Sequence, residues 1–591
     1  MARRQLILII VALAVVSVLI LALGGLLVWR LLGNPPDASA ASTPTPIVTV
    51  AAVPVSAPAA TPTPTPARSN SNVFVQAVGR LPVNFNPVFA TDDDAQTVID
   101  LLLPRLLGQD PTSGLIVPTE LATSWTLDPD GRTYRFALAD DVRWSDGQPV
   151  TSADFAFTYA ALADADVGSP YRDRTANLLR VETPDPTTVV VTLSRAECSV
   201  LGSLRRPLLP AHLFAPDFSD LESNPFNQAP SVSAGPFRFV ERLGDDRIIL
   251  EANPDYRLGA PAIARYEVRA IAEPGVRSQA LALGQVDLVH FPPDELRLTE
   301  LPVAAESAVY VAPTGGYHFL ALNLADPANP QPGRTATGDR VPQTPHPILG
   351  DLAVRQAIAE AIDYDTLIAD LFAGHGYHPT TYVPPTATWV AAELPPVAYD
   401  PAQAMRRLEE AGWTDPDGDG VRARAGLPLR LMLQTNADNP LRVRLSEFVA
   451  AQLRPVGFEI EVIPVGFEEL TDTLLGQRYD LVVIGWENLG ADPGNSPFWH
   501  SRDDVPGTGF NFTSFQDADV DGLLDAALQN STCDLNQRAD AYRQVQARVQ
   551  AASPYVLLAG DVAAWAYATR WQGIAPGPWR FDHNITRWRL P

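Results

Sequence analysis

Between Asp400 and Trp486 strand-like and helix-like patterns alternate, and this restricts the architecture more than any other feature of the chain. Asp400-Pro401 starts a helix, with Asp as cap and Pro in the first turn. Ala404, Leu408 and Ala411 give it an apolar stripe, and Gly412 stands where a left-handed stop belongs. There follow LPLRLMLQT as a strand, NPLRVRLSEFVAAQLRPVG as a helix, FEIEVIPV as a strand, FEELTDTLLGQ as a helix and YDLVVIGW as a strand. Strands joined by helical crossovers make a parallel sheet, so the fold class is α/β. Ligands of such sheets bind beyond the carboxyl ends of the strands. Three stretches meet that description: Gln434 to Asn436, Val465 to Phe467, and Trp486 to Asp492. The last, WENLGAD, carries an aromatic platform and two carboxylates.

The first third is patterned differently. SWTLDPDGRTYRFALADDVRWSDG alternates with period two around Asp130-Gly131, which reads as a hairpin. SADFAFTYAAL then reads as a helix capped by Ser152, and GPFRFVERLGDDRIILEAN repeats the hairpin form around Gly244 to Asp246. A hairpin-rich part and a crossover-rich part predict at least two lobes.

Ahead of both lie two segments of other kinds. Arg3 and Arg4 precede an uncharged apolar run from Leu6 to Trp29. As a helix this run spans about 36 Å, enough to cross a bilayer. The positive-inside rule then places residues 1–5 in the cytoplasm and everything after Arg30 outside. The run is longer than a secretory signal core, which favours an uncleaved single-pass anchor; the small residues at Ala38 to Ala40 offer the alternative of a cleavage site. No Leu-x-x-Cys lipid-attachment site follows. Residues 34–72 are dominated by Pro, Thr, Ala and Ser, too poor in apolar surface to fold, and read as an extended disordered linker. The folded part is expected from Val73 to the C-terminus.

The net charge of −25 argues against nucleic acid and against adhesion to anionic lipid, both of which need a basic surface. With two cysteines, Cys198 and Cys533, no thiol-based zinc cluster can form. The two either pair as a disulfide or stand as separate buried thiols. No HExxH, GxSxG or GxxxxGK[ST] occurs, and His375 and His378 lie in a Gly- and Pro-flanked loop rather than on one helix face. The acidic stretch from Asp415, DPDGDGVRARAG, begins like a calcium loop. Gly426 stands at the twelfth position, where a bidentate Glu is required, and two arginines precede it. It reads as a turn, and neither a metal nor another cofactor is expected.

These segments, in this order, resemble the extracytoplasmic solute-binding proteins of ABC transporters, family 5, the dipeptide- and oligopeptide-binding group. The resemblance runs from about Val73 to the C-terminus. It is carried by LATSWTLDPDGRTYRFALADDVRWSDGQPVTSADFAFTY, SAGPFRFVE, NPDYRLGAPAIARYEVR, QALALGQVDLV, LAVRQAIAEAIDYDTL, GHGYHP, AGWTDPDGDGVRARAGLPL and YDLVVIGW. It implies a two-lobed periplasmic-binding-protein type II fold with a hinge and an extra inserted domain. The implied parts are lobe I at about 73–90, 206–313 and 558–591, the inserted domain at about 91–205, and lobe II at about 314–557. It also implies permease and ATPase subunits as partners, a peptide or similar polar solute as cargo, and no catalysis.

In peptide binders of this family the loop after the last crossover strand resembles W-x-x-D-x-x-D-P, its first Asp pairing with the peptide ammonium. Here Trp486, Asp492 and Pro493 match, and Leu489 replaces that Asp. A buried ammonium without a partner carboxylate costs several kcal/mol, which puts free-amine peptides in doubt unless Glu487 substitutes. The ligand-facing candidates are Trp486, Glu487, Asn488 and Leu489, with Asp492 ordering the loop; Tyr317, Asn323 and Asn86 complete the set. A non-peptide solute such as an oligosaccharide, or an extracytoplasmic hydrolase on the same acidic scaffold, are the competing functions.

Overall fold

The computed structural model describes residues 72–301, 305–495 and 497–591. The apolar run at 6–29 and the linker at 34–72, except its last residue Asn72, lie outside them; among the described residues no helix is long and apolar enough to cross a membrane.

The strands that matter here are β1 (Val73–Val78), β2 (Ala122–Leu127), β3 (Thr133–Leu138), β4 (Leu178–Asp185), β5 (Thr188–Leu193), β6 (Phe237–Leu243), β7 (Arg247–Ala252), β8 (Arg265–Ala270) and β9 (Leu288–Phe291). They continue with β10 (Ser307–Leu322), β11 (Gly376–Tyr377), β12 (Arg430–Asn436), β13 (Glu459–Val465), β14 (Leu481–Trp486) and β15 (Tyr555–Ala568). The helices used below are α1 (Ser152–Ala163), α2 (Pro401–Glu410), α3 (Pro440–Leu453), α4 (Phe467–Leu475), α5 (Ala518–Leu528) and α6 (Leu535–Ala552).

One mixed sheet runs β13-β12-β14-β10-β15-β9-β1-β8-β7-β6, with β11 added on β15. At one end β12 pairs in parallel with β13 and β14, as the crossover pattern requires. At the other end β1 pairs in parallel with β8 and β9, and β6 and β7 form the expected hairpin. A separate sheet, β2-β3-β5-β4, holds the hairpin turned at Gly131, where φ is +68°.

The two ends of the long sheet are joined by β10 and β15, strands of 16 and 14 residues that pair antiparallel along most of their length. Their register shifts between Pro313 and Tyr317. Before the shift β10 pairs only with the part of β15 that also carries β9; after it, β10 pairs with β14. Buried side chains follow the same division. Phe74, Val268 and Trp588 share one core with Tyr134, Phe136 and Val191 of the smaller sheet. The β14 end has a core on each face, one around Leu433, Leu445 and Leu481, the other around Phe319, Trp499 and Tyr542.

Local signals hold except at one cap. Asp400 caps α2 through the Gln403 N–H, and Gly412 is left-handed at φ +83°. For α1 the cap is Thr151, not Ser152: Thr151 and Asp154 form a capping box, and the Ser152 hydroxyl donates to the Asp185 carbonyl instead. The acidic stretch is a turn in which the Asp415 carboxylate accepts from the Gly418 and Gly420 N–H groups at 2.8 and 3.1 Å. Asp415, Asp417 and Asp419 do bring carboxylate oxygens within 4.8 Å of one another, all on the exposed surface. Cys198 and Cys533, for which spacing left both states open, are joined as a disulfide.

Candidate functional site

The carboxyl ends of β12, β13 and β14 bring Asn436, Val465 and Trp486 to one edge, where α3 and α4 begin. Asn436, Val465 and Trp486 are each the last residue of their strand, so the loop that follows β14 begins at Glu487. Trp486 lies opposite Tyr317 in the β10–β14 ladder. Its indole stacks on Phe498, with centroids 4.4 Å apart and planes 14° apart, and meets the exposed Phe510 edge-on at 5.9 Å. An aromatic surface of this kind offers contact area with little entropy to lose.

Beyond Trp486 the chain reverses. Asn488 is left-handed at φ +52°, a conformation Asn tolerates better than most residues because its short polar side chain can bond locally. Leu489 then docks on the β10 register shift: its N–H donates to the Gly315 carbonyl at 3.2 Å. The approach is so close that a Cβ on Gly315 would sit 2.1 Å from the Leu489 oxygen. The Leu489 side chain packs against the aromatic core of this half. Glu487 is open to solvent, and its carboxylate stands 3.9 Å from the guanidinium of Arg442.

Arg442 is a residue that strand-end reasoning missed, because it comes from the first turn of α3. It is 6% exposed and donates to the Asn436 Oδ1 at 3.2 Å. Burial lowers its pKa, against the opposing pull of Glu487 and Asp561. Asp561 of β15 was also missed. Its carboxylate lies 3.2 Å from Arg297 and 3.6 Å from His318, beside the same register shift. Burial alone would raise Asp561, but His318 and Arg297 outweigh it and hold the carboxyl below its ordinary value. No short motif flags either residue; Arg442 arrives with α3 and Asp561 with β15.

The remaining sequence candidates occupy internal positions. Asp492 binds Arg538 through both oxygens at 2.8 and 2.7 Å and accepts from the Gly494 N–H, so it orders the loop. Asn323 is fully buried, donating to the Gln477 and Tyr479 carbonyls and accepting from the Ala325 N–H. Asn86 is fully buried as well, donating to Asn227 Oδ1 and accepting from the Val88 N–H. Both asparagines tie loops together and face no cleft in this conformation. Tyr317 is 2% exposed, and burial pushes its hydroxyl well above the ordinary tyrosine value. A small recess lies elsewhere, between α6 and the chain at 378–382. It is bordered by Tyr364, His378, Tyr382, Trp499 and Tyr555 and does not include the 487–492 loop.

Residues 117–505 match the model of the bacterial extracellular solute-binding proteins, family 5. The chain belongs to that family. Among curated relatives, the family 5 chain is 25% identical over 532 residues to the oligopeptide-binding protein AppA of Bacillus subtilis, covering 88% of this chain and 91% of that one. It is 28% identical over 355 residues to the nickel-binding periplasmic protein of Escherichia coli, covering 59% and 63% respectively. The solved structure of AppA from Bacillus subtilis in complex with a nonapeptide matches with a TM-score of 0.61 at 24% identity, covering 88% of this chain and 99% of that one. At that identity the structural likeness speaks for the fold: a mixed α/β substrate-binding architecture, in which the 487–492 loop of this family 5 protein lies at the strand ends.

Proposed function

We propose that this family 5 protein is the substrate-binding component of an ABC importer, capturing a peptide or similar polar solute outside the membrane and handing it to permease and ATPase subunits. The observation that carries the reading is the pair β10 and β15, which join two halves of a sheet, each with its own core, across a register shift at 313–317. Such a joint is a hinge: a few residues absorb the backbone change while the packed halves move as bodies. The proposed lobes are about 73–90, 206–313 and 558–591 for the first, with an insertion at about 91–205, and about 314–557 for the second. The chain captures and releases without turnover, and residues 6–29 anchor it to the membrane as a single-pass helix with the solute-binding part extracytoplasmic.

The cargo follows from the loop. Leu489 packs inward where peptide binders of the family carry an acid, and Glu487, exposed in the same loop and 3.9 Å from Arg442, is the carboxylate proposed to substitute. The test is the melting temperature of the purified chain against peptides with free and acetylated N-termini and against oligosaccharides, repeated with Glu487→Gln. Stabilisation by free-amine peptides, lost in Glu487→Gln, assigns the ammonium to Glu487. Stabilisation by blocked peptides or sugars alone makes the cargo a solute without an ammonium. Turnover of any panel member, abolished by one carboxylate substitution, would replace the transport reading with a hydrolase.

A further inference from the structure

The disulfide does not lie within either half of the molecule. Cys198 opens a 3-10 turn, Cys198–Arg205, whose Val200 and Leu204 belong to the core shared by β1 and the smaller sheet. Cys533 lies between α5 and α6, whose Val520, Leu524, Tyr542 and Val545 belong to the core beside β14. The bond joins positions 335 residues apart and is, with β10 and β15, a further covalent path between the halves. Around it the surfaces are in contact. The Tyr134 hydroxyl is 3.6 Å from Cys533 Sγ, and a Cβ on Gly131 would lie 2.9 Å from the Ser531 Cα. Elsewhere along the same seam the Trp579 indole donates to the Thr386 carbonyl at 2.8 Å.

Two bodies joined at one hinge can open as a clamshell. Joined at a second point on the seam, they keep only rotation about the line through both joints. We propose that Cys198–Cys533 is a redox-operated latch that restrains the two halves in the arrangement seen here, and that its reduction by a dithiol releases them to move apart. The idea rests on the two-lobed reading above. Cys533 is half-buried whereas Cys198 is 3% exposed, so the accessible sulfur is that of Cys533. A thiolate of the dithiol attacks Cys533 Sγ, the Sγ–Sγ bond breaks, and Cys198 leaves as a thiolate that takes up a proton. The second thiol of the reductant then attacks the mixed disulfide. Cys533 is released, also to be protonated, and the reductant becomes the disulfide, so the two electrons balance.

The experiment is hydrogen–deuterium exchange of the purified full chain in three forms: oxidised, treated with dithiothreitol, and with both cysteines changed, Cys198→Ser and Cys533→Ser. The readout is at segments 111–118 and 384–392, which lie along the seam but far from both cysteines in sequence. The latch predicts faster exchange there in the reduced and serine forms than in the oxidised one, with β12 and β14 equally protected in all three. Acceleration confined to 195–205 and 529–536 would overturn it, and so would a general loss of protection, since either makes the bond a plain staple of stability. If the serine variant fails to fold, dithiothreitol treatment of the natural chain decides alone. No solute is added, so a failed solute panel and a failed latch give different results.

Discussion

Asp492 grips Arg538 through both carboxylate oxygens, and Arg538 is 5% exposed, its guanidinium lying over the Trp389 ring at 5.4 Å. The pair connects the loop after β14 to α6, so the loop that carries the ligand candidates is braced from behind by a buried ion pair. Removing one partner of such a pair strands the other charge in a poorly solvated site. Asp492→Ala should therefore lower stability by about 3–5 kcal/mol in a urea titration. A loss below about 1 kcal/mol would mean that the guanidinium finds water or another acceptor and the brace is dispensable.

Gly315 and Leu489 make a second brace of a different kind. No side chain fits at Gly315, because its Cβ position is 2.1 Å from the Leu489 oxygen, whereas a Cβ on Gly490 meets nothing within 4 Å. Gly315→Ala must push the loop off β10 and should cost about 1–3 kcal/mol. Gly490→Ala, in the same loop, should leave the unfolding midpoint nearly unchanged. Equal effects of the two substitutions would show that the close approach is not what positions the loop.

Asp504 makes part of the stability depend on pH. It is fully buried, and burial raises its pKa from 3.8 to about 6, against hydrogen bonds that include a 2.7 Å one from the Gln477 amide. Between these two values the folded chain holds a proton that the unfolded chain has released, so unfolding loses favour at low pH. This contribution is fully present below about pH 4 and is lost as pH rises through about 6. Asp504→Asn abolishes the titration. Its stability relative to the natural chain should rise from pH 4 to pH 7, as read from paired denaturant titrations at each pH. A difference that stays flat or falls over that range would show that Asp504 titrates normally.

Residues 6–29 make a prediction that needs no structure. An uncleaved anchor leaves the mature protein starting near Met1 and sedimenting with membranes. Terminal sequencing that begins at Ala41 would identify a cleaved signal instead.

Much of the architecture is readable in the residues because it depends on neighbours in sequence. The period-two run around Gly131, the Asp400 cap of α2 and the turn at Asp415 are all set by local sterics and local hydrogen bonds. The cap of α1 moved by one residue for a reason just as local. Thr151 and Asp154 complete a capping box, a better arrangement than Ser152 alone can make. The loop after β14 is legible as the end of a crossover strand, and the expected loop-ordering part of Asp492 is seen in its bonds to Arg538 and the Gly494 N–H.

What escaped prediction depends on distance. Arg442 meets Glu487 only because α3 packs beside β14, Asp561 meets His318 only because β10 and β15 pair, and Arg297 reaches Asp561 from the turn that follows β9. Asn86 and Asn323 look like exposed polar residues in a linear reading, yet their amides are consumed by loops that come from far along the chain. The α/β class and the order of crossovers and hairpins were legible in the residues, because periodicity and turn chemistry are properties of adjacent residues; the family came from the resemblance of whole segments in their order, and the match over 117–505 bears it out. Only the tertiary structure decided that Cys198 and Cys533 pair and that the bond joins two separately packed halves. A disulfide needs two Cα atoms within a few ångströms, and sequence spacing over 335 residues carries no information about that distance.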